Sequence, residues 1–92
     1  MIGRIRHRGL KRLYRDDDRS GLRPEHVEKI RSILARLDQA TRPAEMDLPG
    51  DRLHPLKGSY SGFWSVTVPA NWRIVFRFED GQPTDVDYLD YH

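Results

Sequence analysis

Apolar positions recur along this chain with two different periods, and the change of period divides it. In "RGLKRLYRDD", Leu10, Leu13 and Tyr14 stand at i, i+3 and i+4, the spacing of one helical face. Asp16, Asp17 and Asp18 end that pattern with side chains that compete for backbone hydrogen bonds, and Ser20-Gly21 reads as a loop. In "RPEHVEKIRSILARLDQA", Val27, Ile30, Ile33, Leu34 and Leu37 form a single stripe, with Glu28, Lys29, Arg31, Ser32, Arg36 and Asp38 elsewhere around the helix. Pro24 suits the first helical position, and Glu25 places negative charge at the positive end of the macrodipole. Pro43 closes the helical region. "AEMDLPGD" is then a connector, with Met46 and Leu48 as candidate anchors.

After Gly50 the period becomes two. "FWSVTV" puts Trp64, Val66 and Val68 on one face. "NWRIVFRF" puts Trp72, Ile74, Phe76 and Phe78 on one face and Arg73, Val75 and Arg77 on the other. "EDGQP" is a turn, and "TDVDYLDYH" is a last strand with Val86 and Tyr88 toward the core. "MIGRIRH" fits a short edge strand, and Pro69-Ala70-Asn71 a tight connection. "DRLHPLKGSYSG" is extended but irregular, because Pro55 cannot donate to a ladder and restricts His54. The expected fold is α+β: two N-terminal helices packed on a twisted antiparallel β-sheet.

A chain of 92 residues is expected to form one domain over 1–92, with a modest core. It has no cysteine, which excludes disulfides and thiolate metal sites. No stretch resembles a signal peptide or a membrane span, so a soluble, cytoplasmic protein with no membrane partner is expected. The net charge of +2 conceals an asymmetry. Residues 1–36 carry 11 Lys/Arg against 5 Asp/Glu, and residues 37–92 carry 5 against 9. Arg4, Arg6, Arg8, Lys11, Arg12 and Arg15 crowd one segment, which suits a polyanionic partner such as nucleic acid.

Setting the core residues aside leaves His54 and Lys57, then Arg73, then Asp90, Tyr91 and His92, from three strand regions. Polar residues on one face of adjacent strands, about 5 Å apart, can converge. Arg73, between Trp72 and Ile74, must stand on the face opposite the aromatic core. His54, His92 and Asp90 would bind a metal only if they converged, and the neighbouring cations would repel a divalent ion; no metal or cofactor is expected. The set suits phosphodiester cleavage better. Lys57 and Arg73 would hold the phosphate, and imidazole or carboxylate groups would move protons.

The segments "LPGDRLHPLKG", "GFWSVTV", "NWRIVFRFEDG" and "DVDYLDYH" resemble the HigB branch of the RelE/ParE-like toxins of bacterial toxin–antitoxin systems. The resemblance runs over nearly the whole chain, and its ordered motifs are specific together. It implies a RelE-like microbial RNase toxin fold and a metal-independent, ribosome-dependent endoribonuclease that cleaves mRNA in the A site. It also implies a HigA-like helix-turn-helix antitoxin, with operator DNA contacted only through the antitoxin complex. Carried over by position, the family's site residues are His54, Lys57, Arg73, Asp90, Tyr91 and His92. The basic residues Arg4, Arg6, Arg8, Lys11 and Arg12 become a ribosomal-RNA surface. Ser59 and Tyr60 depart from the charged residues common in relatives. The rival readings are a catalytically inactive module that binds antitoxin or nucleic acid, and a gyrase-directed relative of ParE type.

If chemistry sits at "DYH", deleting His92 or adding a C-terminal tag should abolish most mRNA cleavage on programmed ribosomes. An equal change at Met1 should cost far less, and equal activity in both variants would contradict this placement.

Overall fold

The computed structural model describes residues 1–69 and 71–90. Helix α1 spans Arg8–Asp16 and α2 spans Val27–Gln39; strands β1 to β4 are His54–Pro55, Trp64–Thr67, Trp72–Glu79 and Gln82–Asp90. The strands form one antiparallel sheet in chain order, β1-β2-β3-β4. This is the α+β arrangement expected from the two periods.

The predicted stripe of α2 is its buried face: Val27, Ile30, Ile33, Leu34 and Leu37 are all buried. They share a core with Leu10 and Leu13 of α1 and with Val66, Val68, Ile74, Phe76, Val86 and Tyr88 of the strands. Pro24 starts a short 3-10 turn, Pro24–His26, which leads into α2 at Val27. Met46 is completely buried at the end of a second 3-10 turn, Pro43–Met46, so it anchors the connector; Leu48 is only half-buried. Asp17 ends α1 in the left-handed conformation, an αL C-cap that aspartate tolerates, and pairs with Arg31 of α2. Asp18 accepts a hydrogen bond from Ser20 N at 2.9 Å, so two of the three adjacent aspartates have local structural duties.

The second face of the sheet is not wholly polar. Val75 is completely buried there, and Ser65 and Leu56 are buried beside it. Leu56 is fixed by its backbone N, which donates to Phe63 O at 2.9 Å.

The N-terminal segment forms a parallel bridge to β4, Ile5 with Val86, and lies along that strand's outer edge. Val86 N donates to Arg4 O at 3.0 Å, and Arg6 N to Val86 O at 2.8 Å. The edge strand expected at "MIGRIRH" is therefore a short strap running parallel to its neighbour. Covering the edge in this way satisfies β4 groups that would otherwise invite pairing with another chain. Gly3 permits the close approach: a Cβ there would lie 2.9 Å from Thr84 Oγ1. The strap end is also tied, with the Met1 ammonium donating to Asp38 O at 2.6 Å and Ile2 buried.

A β-bulge in β4 holds the strap. The register passes from Val75↔Asp87 to Arg77↔Thr84, so Asp85 and Val86 together oppose Phe76. Asp85 takes a left-handed φ of 53°. Its buried carboxylate accepts Arg77 Nε at 2.6 Å and Arg6 Nε at 3.4 Å, and lies 3.4 Å from Arg4 Nη1. Burial by itself raises this carboxyl's pKa, but Arg77, Arg6 and Arg4 outweigh it and hold the group below its ordinary value.

His7 caps α1. Its Nδ1 accepts from Gly9 N at 3.0 Å and Leu10 N at 3.3 Å, so the cap requires that nitrogen unprotonated. Burial lowers the His7 pKa, and Asp87 only partly opposes it. Both His7 and Asp85 bind protons less readily folded than unfolded. Each contributes stability that is present above its unfolded pKa and lost as pH falls through its folded one. Urea unfolding should thus show weakening first below about pH 6.5 and again below about pH 4. Asp85→Asn should cost about 1–3 kcal/mol at neutral pH and shrink the lower stage; an unchanged urea midpoint would contradict the clamp.

Candidate active site

The face of the sheet away from the helices holds two of the expected site residues, His54 and Arg73. His54 pairs with Ser65, Ser65 with Val75, and Val75 with Asp87, which makes one row across all four strands. Thr67, Arg73 and Leu89 form the next row. A cleft of about 270 Å³ opens here, lined by Arg52, Leu53, His54, Leu56, Ser65, Thr67 and Arg73. It brings His54 and Arg73 together from β1 and β3, with two hydroxyls between them. Arg73 Nη1 donates to Trp72 O at 3.1 Å, which steadies the guanidinium near its own strand.

The other expected residues are placed differently. Lys57 is exposed at the start of a 3-10 turn, Gly58–Tyr60, and is not among the residues lining the cleft. Asp90 pairs in register with Trp72, and strand alternation puts it on the side of Tyr88. Asp90 acts on that phenol: burial raises the Tyr88 pKa first, Arg23 opposes, and the charges of Glu25 and Asp90 add to the rise. Tyr91 and His92 lie outside the described residues.

The end of β4 is braced from the helical side. His26 Nδ1 and Tyr88 Oη are 2.6 Å apart, and both residues are buried. Trp72 stacks on Tyr88 with ring centroids 4.4 Å apart, and the Arg23 guanidinium lies over the Trp72 ring at 5.1 Å. His26 is thus a core histidine with a satisfied ring nitrogen.

On the opposite side of the cleft, the 50–54 segment is held by a second brace. Lys29 of α2 donates to the buried Asp51 carboxylate at 2.5 Å. Asp51 O accepts both Thr67 N (2.8 Å) and Thr67 Oγ1 (3.0 Å). Arg52 follows directly, with a left-handed φ of 51°. Sequence reasoning did not single out Arg52 as lining this cleft, although it stands first in "RLHPLKG"; Ser65 and Thr67 were passed over because isolated hydroxyls in a strand carry no signal.

The family model for the RelE-like toxin of the type II toxin–antitoxin system HigB matches residues 3–92. The chain belongs to this family. It is 42% identical to the endoribonuclease HigB of Proteus vulgaris over 92 residues, the full length of both chains. It is 32% identical over 94 residues to toxin HigB-1 of Vibrio cholerae serotype O1, covering all of this chain and 98% of that one. A HigB-like toxin of a toxin–antitoxin system implies an antitoxin partner. Of the described residues, no helix is long and apolar enough to cross a membrane.

The basic segment also acquires detail in this HigB-like toxin. Arg4 and Arg6 turn toward Asp85 while staying largely exposed, so part of their charge is neutralised within the fold. Arg8, Lys11 and Arg12 are exposed on α1. Their charge is the more available to a polyanion.

Tyr88→Phe should strand a buried His26 ring nitrogen and cost about 1–3 kcal/mol in urea unfolding. An unchanged midpoint would show that the His26–Tyr88 bond contributes nothing to holding β4.

Proposed function

We propose that this chain is a ribosome-dependent endoribonuclease that cleaves mRNA in the A site without a metal ion, and is neutralised by a HigA-like helix-turn-helix antitoxin in the cytoplasm. Operator DNA would be met only through that antitoxin complex. The observation that carries the reading is the shared cleft of His54 and Arg73 on the sheet face opposite the helices. The name of the Proteus vulgaris relative, an endoribonuclease, supports the reaction class.

In the reaction, an RNA 2′-oxygen attacks the adjacent phosphorus while the bond from phosphorus to the 5′-oxygen breaks. The 2′-hydroxyl proton passes to a base, and a second acid protonates the departing oxygen. The products are a 2′,3′-cyclic phosphate and a 5′-hydroxyl. His54 is favoured as base over Asp90, because it lines the cleft with Arg73 while Asp90 stands on the side of Tyr88. His92 is the candidate acid, and Tyr91 would orient the RNA. Arg73, aided by Lys57 from the cleft's approach, would offset charge growing on the phosphate, the work a metal does elsewhere. Holding the RNA in line for attack would fall to the ribosome, which makes free RNA a poor substrate.

Arg73→Ala and deletion of His92 should each lower single-turnover cleavage of A-site mRNA by about 10²-fold or more. Near-wild-type rates in both would sink the assignment. Gyrase inhibition without cleavage would transfer the protein to the gyrase-directed class.

A further inference from the structure

We propose that Arg52 is a phosphate-binding residue of the cleft, forming with Arg73 a two-cation seat for the RNA backbone. This rests on the ribonuclease reading and adds a residue to its site.

Four non-glycine residues among those described have a left-handed φ: Asp17, Arg52, Asp80 and Asp85. Three are aspartates, whose short polar side chains tolerate that conformation. Asp17 and Asp85 also pair with arginines there. Arg52 has neither excuse. Its side chain is exposed and makes no hydrogen bond or ion pair among the described residues. Glycine would satisfy the backbone at 52 with less strain, so the structure itself gives no reason for an arginine.

The neighbours on both sides are fixed. Asp51 is held by Lys29 and Thr67, and His54 by its pairing with Ser65. Residue 52 is therefore presented from a rigid frame at the mouth of the cleft that His54 and Arg73 share. A guanidinium in that position offers a planar fork of donors, which matches two oxygens of one phosphodiester. Two arginines around one cleft suit a backbone carrying a negative charge at each link.

The test uses the full chain and a short 2′-O-methyl RNA, which can be bound but not cleaved by 2′-oxygen attack. Arg52→Gly suits the local φ and should unfold within a few degrees of the wild type. It should bind this RNA about tenfold more weakly at low ionic strength, the loss of one charge-assisted contact. The slope of log affinity against log salt should become shallower by about 0.7, one phosphate contact on a single strand. Arg52→Lys should keep the slope. Arg36→Gln, which removes one charge at the end of α2, should leave both affinity and slope unchanged. The proposal is overturned if Arg52→Gly binds as the wild type does, if Arg36→Gln loses as much, or if the wild type itself does not bind. Failure of the ribonuclease reading is seen separately, as absence of wild-type cleavage of natural mRNA on programmed ribosomes.

Discussion

One buried carboxylate lets three arginines meet at the outer edge of the sheet. Arg4, Arg6 and Arg77 approach each other around Asp85, and its charge adds to the backbone bonds that hold the N-terminal strap on β4. Burying a lone carboxylate is costly, and the arginines offset that cost as much as the carboxylate offsets theirs. The arrangement needs the bulge. A regular β4 would send residue 85 along the ordinary alternation, whereas the extra residue and the left-handed φ re-aim it. The strap then closes the sheet's outer edge and ties the basic segment to β4.

The sheet meets two demands at once. Its helical face must bury Val66, Ile74, Phe76, Val86 and Tyr88 against α2. Its other face brings His54 and Arg73 near one another, which hydrophobic packing alone would not arrange. The antiparallel register does this by setting Arg73 beside Thr67 and one row from the pair His54 and Ser65. Rigid braces on either side, Lys29 with Asp51 and His26 with Tyr88, limit how far the cleft and the β4 end can drift. Such support matters for a reaction that depends on atoms placed within fractions of an ångström.

Much of this was legible in the residues. The i, i+3, i+4 spacing of Val27, Ile30, Ile33, Leu34 and Leu37 named the buried face of α2, because helical burial is a local periodic property. Alternation did the same for Trp72, Ile74, Phe76 and Phe78. The family also was legible, since "RLHPLKG" and "NWRIVFRF" occur in order. Other features were not. Val75 falls in the strand pattern on the face of Arg73 and Arg77, yet it is completely buried. His26, which no sequence pattern singles out, is buried against Tyr88, far along the chain.

By itself, then, the sequence determined the elements, the faces they bury and the kind of chemistry present, because each depends on neighbours within a few residues. Tertiary structure alone decided that the strap runs parallel to β4, that Asp85 gathers three arginines, and that Arg52 shares a cleft with His54 and Arg73. These outcomes turn on a single bulge and on pairings between distant segments. One residue of register moves a side chain to the opposite face of a sheet, and no local pattern records where that shift occurs.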